Sequence, residues 1–187
     1  IGDEGAKSLA ESHLVDTLED LHLCGNRIGC NGFMHLGKNF SRSTTLRSFH
    51  ASGNNGKEGG AAYIAEIFNQ PHTALNTFIF SGNNIGKEGA QMISTALSTN
   101  STLTHVDLSN NGITDVGAEC VAEALNTHRG MITLLLSFNG ISAEGMKKLA
   151  KSFSHYHALK KVDLDNNRIE NDGAEALAEA VRHMSSV

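Results

Sequence analysis

His105, Asp107 and Ser109 stand at alternate positions of "LTHVDLS" and bring together the three functional groups of a hydrolase relay. On an extended strand such residues share one face, about 6.5 to 7 Å apart and projecting in parallel, so this order gives no nested carboxylate–imidazole–hydroxyl hydrogen bonds. There is also no G-x-S-x-G elbow and no evident oxyanion donor. The chain reads as no enzyme. Its ten histidines raise metal ligation as a second chemistry. His155, His157 and His128 fall after successive helical segments, on one edge of the molecule. No cysteine or carboxylate completes a tetrahedral set at regular spacing, and histidine near a helix C-terminus is favoured by the macrodipole in any case. Solvated loops are expected there, with no metal and no cofactor. "GKEGG" at 56–60 and "GKEGA" at 86–90 lack the G-x-x-x-x-G-K-[ST] order of a phosphate loop.

The elements that must carry these residues are bounded by composition. The 187 residues are 40% hydrophobic, enough to fill a core, and 19 glycines against one proline suggest many identical tight turns. A net charge of −5, spread along the chain, leaves no basic stripe for nucleic acid. The longest apolar stretch, "MITLLLSF" at 131–138, is far shorter than the roughly 20 residues of a membrane span, and residues 1–20 hold no signal-peptide core. Cys24, Cys30 and Cys120 are an odd set without a C-x-x-C pair, which fits reduced thiols in a cytoplasmic setting. Cys24 is expected on an exposed face and redox-sensitive; Cys30 and Cys120 are expected in or near helix packing. The sequons at Asn39 and Asn100 are set aside on the same ground.

One arrangement recurs throughout. Asn26, Asn54, Asn83, Asn111, Asn139 and Asn167 are separated by 28, 29, 28, 28 and 28 residues. Before each lies an L-x-x-L-x-L frame such as Leu103/Val106/Leu108, and after each a helical stretch with glycine in its first turn. Alternation in "LTHVDLS" turns Val106 and Leu108 inward and His105, Asp107 and Ser109 outward. In the helical half, Ala118, Val121, Ala122 and Leu125 form an apolar stripe that one unit cannot cover and stacked units can. The asparagines are expected to hydrogen-bond buried main chain, and the turn glycines to supply left-handed backbone.

With this frame the chain resembles a leucine-rich-repeat protein of the ribonuclease-inhibitor type, through six matches to L-x-x-L-x-L-x-x-N-x-L that cover nearly every residue. The resemblance implies a right-handed α/β solenoid, a horseshoe with a parallel concave sheet and convex helices. Residues 1–187 are expected to form one such solenoid of about six and a half 28-residue repeats, a fragment of a longer chain or part of a larger complex, because no capping unit is visible. Repeat two has Gly56 where the others have isoleucine, and Ala51 in its strand, so thin packing is expected there. The single 29-residue spacing traces to "NQPHTA", whose Pro71 ends a helix.

The central outward column reads His22, His50, Ile79, Asp107, Leu135 and Asp163. The column before it runs Asp20, Ser48, Thr77, His105, Thr133 and Lys161, and the one after it Cys24, Ser52, Ser81, Ser109, Ser137 and Asp165. Apolar Ile79 and Leu135 flank Asp107, and Phe138 lies at their rim. His22, His50, Ile79, His105, Asp107, Leu135, Phe138, Asp163 and Asp165 are therefore the expected protein-binding residues of a non-catalytic scaffold. The resemblance extends to NOD-like receptors and tropomodulin-type actin regulators. It also reaches Ran-type GTPase activators, which would assign Arg27 and Arg168 to a GTPase partner. The uniform asparagine departs from ribonuclease inhibitor itself, which alternates asparagine with cysteine.

Overall fold

The structure is a computed structural model that describes residues 1–154, 156 and 158–184. Six strands of three residues each, β1 (Asp20–His22), β2 (Ser48–His50), β3 (Thr77–Ile79), β4 (His105–Asp107), β5 (Thr133–Leu135) and β6 (Lys161–Asp163), form one parallel sheet in sequence order. Helices α1 (Asp3–Ala10), α2 (Cys30–Phe40), α3 (Lys57–Phe68), α4 (Gly86–Thr99), α5 (Thr114–Leu125), α6 (Ala143–Phe153) and α7 (Glu170–Met184) alternate with the strands. This is the α/β solenoid that the 28-residue period predicts. The register never slips, and residues one period apart are direct neighbours from β1 to β6.

A single core runs between sheet and helices. The middle residue of each strand points into it, and Phe49, Phe78, Val106 and Leu134 are all essentially sealed from solvent. They meet the helical stripe, in which Ala118, Val121 and Leu125 are equally buried. Val162, Leu164 and Ile169 are partly buried and pack against the same core. No helix among the described residues is long and apolar enough to cross a membrane.

The repeat asparagines carry the turn. Asn111 is 1% exposed; its Nδ2 donates to the Leu108 carbonyl (3.1 Å) and, one coil back, to the Phe80 carbonyl (2.9 Å). The preceding residue of these turns is left-handed, as at Gly82 with φ +65°, where glycine costs nothing. The first-turn helix glycines serve another need. A Cβ on Gly117 would stand 2.9 Å from the Ala90 Cβ and 2.8 Å from the Ile113 Cβ, so the missing side chain lets α4 and α5 approach.

Two expectations need correction. Repeat two is not thinly packed: the Phe33 and Phe80 rings meet edge to face at 5.0 Å and fill the volume beside Gly56. The filling atoms come from the neighbouring coils. His128 does not lie in a solvated loop but is 1% exposed beneath the turn after α5. The 29-residue spacing behaves as expected, with α3 ending at Phe68 and Pro71 in the following turn.

Candidate binding face

Because the register is unbroken, the outward columns read from the sequence are physical rows across the sheet. His22, His50, Ile79, Asp107, Leu135 and Asp163 lie side by side, and Asp20, Ser48, Thr77, His105, Thr133 and Lys161 form the parallel row. Ile79, His105, Asp107, Leu135 and Asp163 are half-buried, while His22 and Asp165 are exposed. None of them is covered by a helix. Asp107 and Asp163 are held in the same way: Oδ1 of each accepts the backbone N–H two residues on, from Ser109 at 2.8 Å and Asp165 at 3.0 Å.

The N-terminal end of the face is formed by two histidine rings. The His22 and His50 rings stack at 4.2 Å with a 9° tilt. Burial and the neighbouring His22 lower the His50 pKa below its ordinary 6.5, with Asp20 opposing. Parallel stacked rings also hold their nitrogen lone pairs parallel, so the pair does not converge on one ion. Among the described residues no group of three metal-binding side chains is arranged to hold a metal.

Ser48 Oγ lies 2.7 Å from His50 Nε2, a contact that strand alternation does not predict. Alternate residues of a strand do reach each other when a long ring leans along it, as His50 does here. Ser48 is itself buried, and no carboxylate hydrogen-bonds His50 among the described residues, so the contact positions the ring. His105, Asp107 and Ser109 make no relay: His105 Nδ1 meets Thr104 Oγ1 at 2.8 Å, and Asp107 takes the Ser109 N–H.

Of the histidines read as a possible metal group, His155 and His157 lie outside the described residues. The third, His128, places Nδ1 3.1 Å from the Tyr156 hydroxyl, which in turn accepts the Met131 N–H at 2.7 Å. Burial lowers the His128 pKa, against the pull of the Leu103 carbonyl. Cys24 is exposed, and Cys30 and Cys120 are half-buried. Asn100 of the second sequon is buried, with its Nδ2 committed to the Phe68 carbonyl at 2.7 Å, so it offers no glycan acceptor in the fold.

Beside the open face, on the turns that follow the strands, lies a groove of about 580 Å³ whose lining includes Asn84, Asn110, Thr114, Phe138 and Arg168. Its walls are left-handed turns. Phe138, with φ +56° and 56% exposure, occupies the position held by Gly25, Gly53, Gly82, Asn110 and Asn166 in the other coils. A bulky side chain there costs roughly 1 kcal/mol in backbone strain, and its ring gains little shelter in return. Thr114, β-branched and at φ +58°, is strained beside it. Arg168 lies on this edge and Arg27 is exposed at the equivalent turn of the first coil.

Residues 73–94, 99–122, 131–150 and 157–178 match a family model described as "Leucine Rich repeat". Among solved structures, the chain is similar to "Leiomodin-1 Actin-Binding Site 2 (ABS2)", with a TM-score of 0.55 and 13% identity over 97% of this chain and 86% of that one. At that identity the likeness is one of fold. No curated protein matches the sequence.

Proposed function

We infer that this leucine-rich-repeat chain is a non-catalytic scaffold, of the ribonuclease-inhibitor-like class, that binds a partner protein through its open sheet face and the adjoining turns. The observation that carries the reading is the row Ile79–Asp107–Leu135–Asp163, continued by an exposed and backbone-strained Phe138. Backbone strain at an exposed aromatic that folding does not use is the mark of a residue kept for contact. A rigid sheet loses little entropy on binding, which favours affinity from a few anchors. The free thiols support a reducing, cytoplasmic setting.

The test is affinity capture with wild type and with the Ile79→Asp, Leu135→Asp double variant, whose fold is checked by circular dichroism. The solved neighbour is an actin-binding site of leiomodin-1, so actin is the first defined partner to assay. Loss of capture in the variant is expected. Equal capture by both proteins moves the site off this face. The Ran-type alternative rests on Arg27 and Arg168, which stand five coils apart, and a single-turnover GTP hydrolysis assay with small GTPases decides it.

A further inference from the structure

Across β3 to β6 the central row is apolar and acidic by turns: Ile79, Asp107, Leu135, Asp163. Adjacent strands lie about 4.8 Å apart, so each kind recurs every ~9.6 Å. Seven residues of an α-helix rise ~10.5 Å, which matches that repeat within about an ångström. One face of a β-strand repeats at ~6.7 Å and does not match it.

Both carboxylates are preorganised, with one oxygen of each committed to the backbone and the other left to face a ligand. The ion pairs among the described residues use neither Asp107 nor Asp163 nor Asp165. Lys161 stands two residues before Asp163, with Lys160 just ahead of it, and Arg168 lies in the turn beyond. None of these cations lies in the central row itself, where the two carboxylates are spaced by an apolar residue.

We propose that this row binds an amphipathic helix of the partner protein, laid across the strands, with apolar residues at i and i+7 and lysine or arginine at i+3 and i+10. The apolar pair seats on Ile79 and Leu135, with Phe138 at the flank. The cationic pair meets Asp107 and Asp163, whose fixed geometry reduces the ordering lost on binding. An acidic helix meets two carboxylates that cannot turn away. The proposal rests on the open-face reading and narrows it to one partner chemistry.

The probe is an alanine-based peptide of about 20 residues, long enough to hold a helix, with leucine and lysine in that spacing. It is titrated against the whole chain by fluorescence anisotropy. Two companions carry glutamate in place of lysine, or the same four residues scattered around the helix. The lysine peptide is expected to bind at least tenfold more tightly than either companion, and less tightly as salt rises. Asp107→Asn with Asp163→Asn, near-isosteric changes at partly exposed positions, is expected to weaken the lysine peptide about tenfold and to abolish the preference over glutamate. Equal affinities for the lysine and glutamate peptides, no binding of either, or an unchanged double variant overturns the proposal. If the peptides fail while Ile79→Asp, Leu135→Asp still abolishes capture of the native partner, the face binds by other chemistry and only this inference falls. If capture also survives, the open-face reading falls with it.

Discussion

Asn139 Oδ1 accepts the backbone N–H of Asn111 at 2.9 Å, and Asn111 Oδ1 accepts that of Asn83 at the same distance. The asparagines thus form a chain of their own, parallel to the sheet, in which each side chain closes its own turn and receives the turn before it. This explains why the residue type is uniform while the strand residues vary. Only a short side chain with a donor and an acceptor meets both demands.

Asn111→Ala is therefore expected to cost about 2 kcal/mol or more, since it leaves the buried Asn83 N–H without its acceptor and takes from the Phe80 and Leu108 carbonyls one of their two asparagine donors, the others being Asn83 and Asn139. Asn26→Ala is expected to cost about 1 kcal/mol, because Asn26 is half-buried and its carbonyl partners, Leu23 and Cys24, belong to its own turn. Urea denaturation of the two variants measures the difference. Equal losses refute the ladder as the source of stability.

Phe138 separates binding from folding. Phe138→Asn installs the residue found at the same left-handed position in Asn110 and Asn166. It is expected to raise stability by about 1 kcal/mol, through relief of backbone strain, and to weaken partner binding. The two effects have opposite signs, so neither a general loss of structure nor a neutral surface change reproduces them. Thermal melting and the capture assay, run on one preparation, decide the matter.

The sequence shows best what repeats. The period, strand frame and asparagines are legible because each coil states them again, and register then fixes every outward column, including the placement of Ile79, Asp107 and Leu135. What it hides is what crosses between coils. The Phe33 and Phe80 rings that occupy the place of a side chain at Gly56 come from residues 23 before and 24 after it, outside any single repeat. Likewise the Ser48–His50 contact depends on a ring leaning along the strand, which the alternation rule does not encode. Buried His128 has the same origin: its partner Tyr156 sits 28 residues on, in the next coil.

Restoring the repeat pattern at Gly56 is for that reason expected to harm the protein. A Cβ there already stands 3.0 Å from Phe80 Cζ and 3.1 Å from the Phe33 ring, so Gly56→Ile forces both rings to move and costs about 1 to 3 kcal/mol. Phe80→Leu, which leaves a gap, costs about 1 kcal/mol alone. Together they are expected to cost less than their sum, because the new side chain enters the space the ring vacates. A double-mutant cycle by denaturant unfolding measures the coupling, and strict additivity refutes the packing account.

Acid sensitivity follows from His128 and His50, whose pKa values are both lowered from 6.5 in the folded chain, chiefly by burial. Well above pH 6.5 both are neutral, folded or unfolded, and contribute no pH dependence. As pH falls through 6.5 the unfolded chain takes up protons first, so it is stabilised relative to the fold, and the loss continues until pH passes the folded values. Stability is thus expected to decline between about pH 7 and pH 5, before most carboxylates titrate. His128→Gln retains a polar partner for the Tyr156 hydroxyl and removes the more deeply buried of the two titrating rings. Denaturation midpoints measured across that range should fall less steeply in this variant than in wild type. Parallel curves for the two proteins would place the acid response elsewhere.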